Sequence, residues 1–90
     1  MVIHIMTIIK SIVLNKKNGL DVSEASKLTK IASQFRSEVF ISCDARKVNA
    51  KSIMGIMMLA AGTGKNIKIE ISGPDSEAAM KALDLFFCDE

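Results

Sequence analysis

Asn66-Ile67-Lys68-Ile69-Glu70-Ile71-Ser72, followed by Gly73-Pro74-Asp75, decides the fold class of this chain. Apolar and polar residues alternate without a break, so successive side chains fall on opposite faces of an extended strand. Ile67, Ile69 and Ile71 therefore share a covered face, and Lys68, Glu70 and Ser72 share a wet one. Such a strand needs a second layer over its apolar face, and helical patterns before and after it supply that layer. Gly73-Pro74-Asp75 turns the chain into a last helix that runs to about Phe87, with Ala79, Leu83 and Phe86 inward.

Working back from this strand, Ile53 to Ala61 reads as a short helix that is apolar nearly all round, stopped by Gly62-Thr-Gly64. If Ile56, Leu59 and Ala60 face the sheet, helical geometry leaves Met54, Met57 and part of Ile53 outside. Val39 to Cys43 is an earlier strand, and Asp44-Ala-Arg46 turns it into a short partner near Lys47 to Asn49. Apolar positions 25, 28, 32 and 35 step by three and four, which predicts an amphipathic helix from Ser23 to Phe35 with Lys27, Thr29, Lys30 and Gln34 on its wet face. Ile8 to Leu14 is a first strand, and Asn15-Lys-Lys-Asn-Gly19 is its turn signal. The order β-α-β-β-α-β-α predicts an α+β fold, a two-layer open-faced sandwich.

Ninety residues leave room for one domain, 1–90, with residues 1–6 as an N-terminal extension. The 49% apolar content excludes disorder, and two cysteines, Cys43 and Cys88, are too few for a disulfide framework. Free thiols suit a reducing cytoplasm. A net charge of +2, with no Trp or Tyr, argues against direct nucleic-acid binding. The longest nearly apolar stretch, Ile53 to Ala61, is half of what a bilayer requires, so no membrane partner is expected. The start has no basic n-region and no cleavage site of the secretory kind.

Catalytic constellations are scarce. His4 is the sole histidine and stands in the extension with no second ligand type near it; Cys43 and Cys88 stand alone. No phosphate-cradling glycine motif occurs, and no metal or cofactor is called for. Six methionines against four phenylalanines is the unusual feature, and three of them, Met54, Met57 and Met58, fall in the short helix. Exposed methionines make adaptable contacts with several partners.

Two helix starts carry the remaining information. In Asn18-Gly19-Leu20-Asp21-Val22-Ser23-Glu24, Asp21 and Glu24 fit a capping box in which each carboxylate takes a free backbone N–H. In Val48-Asn49-Ala50-Lys51-Ser52-Ile53-Met54-Gly55, Ser52 is a natural N-cap. A phosphate on Ser52 would add nearly two negative charges beside free backbone N–H groups and leave the fold intact.

Lys47-Val-Asn-Ala-Lys-Ser-Ile-Met-Gly-Ile-Met-Met-Leu59 closely resembles the regulatory-serine segment of the HPr family, the histidine-containing phosphocarriers of the bacterial sugar phosphotransferase system. The likeness runs from about Thr7 to Phe87 and includes the Gly19-Leu20 turn, Ala32-Ser33 before Phe35, and the Ser72-Gly73 turn. It implies four antiparallel strands covered on one face by three helices. The family carries its phosphoryl group in a Gly-[Leu/Ile]-His-Ala-Arg-Pro-Ala motif, where the histidine is phosphorylated by Enzyme I. This chain reads Gly19-Leu20-Asp21-Val22-Ser23-Glu24-Ala25. Asp21 takes the histidine position, Ser23 the arginine position and Glu24 the proline position, so the imidazole nucleophile and the guanidinium fork are both absent.

The serine half, by contrast, is intact. In HPr proteins of the Gram-positive type, and in HPr-like proteins that lack the histidine and serve catabolite repression, an ATP-dependent kinase/phosphorylase phosphorylates the matching serine. The product acts as corepressor for a LacI-type transcription regulator. By this resemblance Ser52 is the phosphorylation site, and Lys51, Ile53, Met54 and Met57 form the docking face. The expected protein is a non-catalytic regulator of the phosphotransferase system. A degenerate phosphocarrier using Asp21, or a binding module with neither modification, is the alternative.

Overall fold

The computed structural model describes residues 6–88. Its elements are β1 (Met6–Val13), α1 (Val22–Ala32), β2 (Glu38–Cys43), β3 (Arg46–Asn49), α2 (Ile53–Leu59), β4 (Asn66–Gly73) and α3 (Ser76–Cys88). The four strands form one antiparallel sheet in the order β1-β4-β2-β3, and the three helices cover one face of it. This is the two-layer α+β fold that the alternation in β4 predicts. Met6, read from the sequence as part of an extension, is the first residue of β1 and pairs with Gly73. His4 lies outside the described residues.

The strictly alternating strand lies in the interior of the sheet, between β1 and β2, and its three isoleucines are at most 1% exposed. Val39 and Ile41 of β2 join them from the neighbouring strand. Leu28 from α1, Ile56 from α2 and Leu83 from α3 close the core from the helical layer, each fully buried. Removing one such side chain costs about 2–5 kcal/mol, because the cavity adds to the lost transfer energy. Ala25 and Ala32 of α1 are also fully buried, and Phe35 packs half-buried beyond the helix end. Thr29, read as solvated, is half-buried, and its Oγ1 has no hydrogen-bond partner among the described residues. Phe87 and Met80 are buried beside Ala79, Leu83 and Phe86, so α3 covers more of the sheet than its three anticipated contacts.

The short helix ends sooner than the sequence suggests. Residue 60, not the glycine pair, terminates α2: Ala60 adopts the left-handed conformation (φ 53°, ψ 38°) and its N–H bonds to the Met57 carbonyl. Ala60 is consequently exposed rather than facing the sheet, while Ile56 and Leu59 point inward as expected. Ala61 then dips into the core and leaves its carbonyl free to accept the Leu20 N–H at 3.0 Å. Gly19 is required at this crossing. Its φ is +66°, and a Cβ there would lie 2.5 Å from the Ala61 carbonyl oxygen. At the far end of β4 a Cβ on Gly73 would collide with Ser37, which is fully buried.

Candidate functional site

The two helix starts singled out in the sequence have nearly the same local geometry. Asp21 is extended (φ −76°, ψ −176°) and its Oδ1 accepts the Glu24 N–H at 2.9 Å. Ser52 is extended (φ −118°, ψ 116°) and its Oγ accepts the Gly55 N–H at 3.0 Å. Each therefore satisfies one of the orphan donors of a first helical turn.

Their surroundings differ. At the α1 start, Glu24 does not reach back as a capping box requires. Its carboxylate lies between two ammonium groups, with Lys16 Nζ 3.7 Å from Oε2 and Lys27 Nζ 3.9 Å from Oε1. Lys16 is 7% exposed, and its Nζ sits 4.3 Å from the centroid of the Phe86 ring. At 3.7 Å the Lys16–Glu24 contact is an ion pair and not a hydrogen bond, and Glu24 Oε2 is buried with no hydrogen-bond donor on it among the described residues. Lys16 was not anticipated as a site residue. In the run Asn15-Lys-Lys-Asn-Gly19 it has the appearance of a solvated turn lysine, and only the fold shows that it turns inward under Phe86. Ser23 is exposed and Val22 is 60% exposed, so the rest of this helix start faces outward.

The α2 start is built to present Ser52. Its N–H bonds to the Asn49 carbonyl and its own carbonyl accepts from Ile56, which places the half-buried hydroxyl at the helix entrance. Gly55 leaves space for that hydroxyl: a Cβ there would stand 3.4 Å from Ser52 Oγ and 3.3 Å from the Asn49 carbonyl oxygen. Lys51 is engaged rather than free. Its Nζ donates to the Phe35 carbonyl at 2.8 Å and its N–H to Asn49 Oδ1, so it clamps the end of α1 to the start of α2. Beyond Ser52, Ile53, Met54, Met57 and Met58 are 40%, 70%, 45% and 65% exposed, and they make one uncovered apolar surface on the helix that carries the serine. Met58 belongs to this surface as fully as the three residues the resemblance names.

The other candidate chemistry stays apart. Cys43 is buried, Cys88 is exposed, and both are free thiols. Among the described residues no cluster of three or more potential metal ligands occurs, and no helix is long and apolar enough to cross a membrane.

Residues 8–89 match the family model described as the PTS HPr component phosphorylation site. The chain belongs to the HPr family. It is 51% identical to the phosphocarrier protein HPr of Cupriavidus necator over 67 residues, covering 74% of this chain and 75% of that protein. It is 44% identical to the HPr-like protein Crh of Halalkalibacterium halodurans over 77 residues, covering 86% of this chain and 92% of that protein. Among solved structures, a phosphocarrier protein HPr from Bacillus anthracis superposes with a TM-score of 0.86 at 42% identity, over 90% of this chain and 96% of that one. The HPr fold is thus shared by proteins named as carriers and by one named only as HPr-like.

Proposed function

We propose that this member of the HPr family is a single-domain, non-enzymatic regulator of the phosphotransferase system, switched by phosphorylation at Ser52 and not a phosphohistidine carrier. The observation that carries this reading is the contrast between the two caps. Ser52 offers a modifiable hydroxyl beside an uncovered apolar surface, whereas Asp21 and Glu24 put two carboxylates where the family's motif has a histidine and a proline. Two carboxylates repel an incoming phosphoryl dianion at close range, and the nearest buried cation, Lys16, already faces Glu24.

In the proposed switch, an HPr kinase/phosphorylase transfers the γ-phosphoryl group of ATP to Ser52 Oγ. The new O–P bond replaces the bond to ADP, and the hydroxyl proton leaves through the kinase. The added charge lies next to Ile53, Met54 and Met57, so partner contacts change while the buried face of α2 is untouched. A LacI-type transcription regulator, or another phosphotransferase-system protein, reads the result in the cytoplasm. Lys51 contributes by holding the serine's loop against α1.

Incubation with an HPr kinase, ATP and magnesium, followed by intact-mass measurement, tests the switch. A single added phosphate that disappears in Ser52→Ala is the expected result. No phosphate, or a phosphate that persists in Ser52→Ala, overturns it.

A further inference from the structure

The uncovered face of the sheet carries a feature that the regulatory reading does not use. A cleft of about 630 Å³ opens there, at the end of the sheet near the β2–β3 turn and the loop that enters β4. Arg46, Lys47, Lys65 and Lys68 line it, with Asp44 as its one carboxylate. The whole chain nets only +2, so the molecule's excess positive charge is gathered at this cleft.

The register orders these groups. Ser11 of β1 pairs with Lys68 of β4, Lys68 with Ser42 of β2, and Ser42 with Lys47 of β3. One row across all four strands therefore alternates hydroxyl, ammonium, hydroxyl and ammonium. Directly opposed side chains in antiparallel strands start about 4.5–5.5 Å apart, so Ser11 and Ser42 flank Lys68 within reach of one bound group. Lys47 is held by Glu70 at 2.9 Å and lies over the Phe40 ring. Arg46 stands opposite core-facing Cys43 and its Nη1 donates to the Met58 carbonyl at 2.8 Å, so its guanidinium turns toward the helical layer and away from the row. Lys65 pairs loosely with Asp44 at 3.5 Å. Lys68 makes no salt bridge among the described residues.

We infer that this row binds the phosphoryl group of a small phosphorylated metabolite, with Lys68, Ser11 and Ser42 on its oxygens and Lys47 supplying further positive charge. A tetrahedral phosphoryl group offers three terminal oxygens to three converging donors, which a planar carboxylate does not. Nucleic acid fits poorly. No aromatic side chain lines the cleft for stacking, and Glu70 stands on the next row of the same face with Glu38 on the row beyond it. The site is on the face opposite the helices, so occupancy leaves the Ser52 surface accessible.

The test is an amide chemical-shift titration of the full chain with inorganic pyrophosphate at about 0.15 M salt, where weak surface pairing is screened. Saturable one-to-one binding is expected, with the largest shifts at Ser11, Ser42, Lys47 and Lys68. Lys68→Gln should weaken it about tenfold, the loss of one charge-assisted contact, and the pair Ser11→Ala and Ser42→Ala should weaken it less. Lys81→Gln, on the exposed side of α3, and Ser52→Ala should leave it unchanged, which separates this site from the proposed switch. Unsaturating shifts spread over all lysines, or full binding by Lys68→Gln, would overturn the site. Tighter binding of an oligoglutamate peptide or a short DNA duplex than of pyrophosphate would overturn its assignment to phosphorylated metabolites.

Discussion

The starts of α1 and α2 are the same piece of backbone engineering put to different ends. Each places an extended cap residue whose side-chain oxygen accepts the N–H three residues on, at 2.9 Å for Asp21 and 3.0 Å for Ser52. What separates them is the second layer. Around Asp21 the neighbouring carboxylate faces a buried lysine beneath a phenylalanine ring. Around Ser52 the neighbours are exposed methionines and an isoleucine, and Lys51 braces the loop without covering the hydroxyl. A cap motif alone therefore says where a helix starts, and its surroundings say whether anything else can happen there.

The largest expected effect comes from converting one region toward the family's carrier motif. Asp21→His, Ser23→Arg and Glu24→Pro together should turn a chain that takes no label from Enzyme I and phosphoenolpyruvate into one that does. A hydroxylamine-sensitive label on the parent chain would instead show that Asp21 already accepts phosphate, and the contrast between the two caps would collapse.

A smaller but measurable effect is expected at the Lys16–Glu24 pair. Lys16→Ala leaves Glu24 Oε2 buried beside no ammonium on that side, which costs about 1–3 kcal/mol. In a domain of this size that lowers Tm by about 4–8 °C for each kcal/mol. Adding Glu24→Gln should recover part of the loss, and strictly additive effects in the thermal unfolding cycle would show that the two groups are not coupled.

Removing the caps themselves should cost alike and act unlike. Asp21→Ala and Ser52→Ala are each expected to destabilise by about 1 kcal/mol. Only Ser52→Ala should abolish phosphate uptake from the kinase. Denaturant midpoints that differ widely between the two variants would show that one start depends on more than its cap.

The smallest effect concerns a third carboxylate, at the start of α3. Asp75 accepts the Ser37 hydroxyl at 2.6 Å and the backbone N–H groups of Arg36 and Ser37. The Ser37 hydroxyl first, and then the Arg36 N–H, hold its pKa down to about 2 from an ordinary 3.8. A depressed carboxylate adds stability that is fully present above the unfolded value and is lost as pH falls toward the folded one. Thermal stability should therefore fall as pH drops from about 4 to 2, and Asp75→Asn should flatten that part of the profile. An unchanged slope would mean that other carboxylates govern the acid limb.

Much of this was legible in the sequence because it is short-range. Alternation in β4, three-and-four spacing in α1, and Asp21 and Ser52 ahead of apolar runs each follow from backbone period and cap chemistry within a few residues. The family's serine segment is contiguous, so it too can be read along the chain. Long-range facts were not legible. The end of α2 at Ala60 comes just before Ala61 meets Leu20, 41 residues away in the chain, and no local signal competes with Gly62-Thr-Gly64 as the apparent stop.

The sequence by itself determined the element order, the covered face of the sheet and both helix caps. Only the tertiary structure decided that Lys16 is buried against Glu24, that Lys51 clamps α1 to α2, and that Ser11, Lys68, Ser42 and Lys47 form one row. Each of those outcomes joins residues from different elements, and their meeting depends on strand order and register, which are set by packing the whole apolar face at once and not by any one stretch of chain.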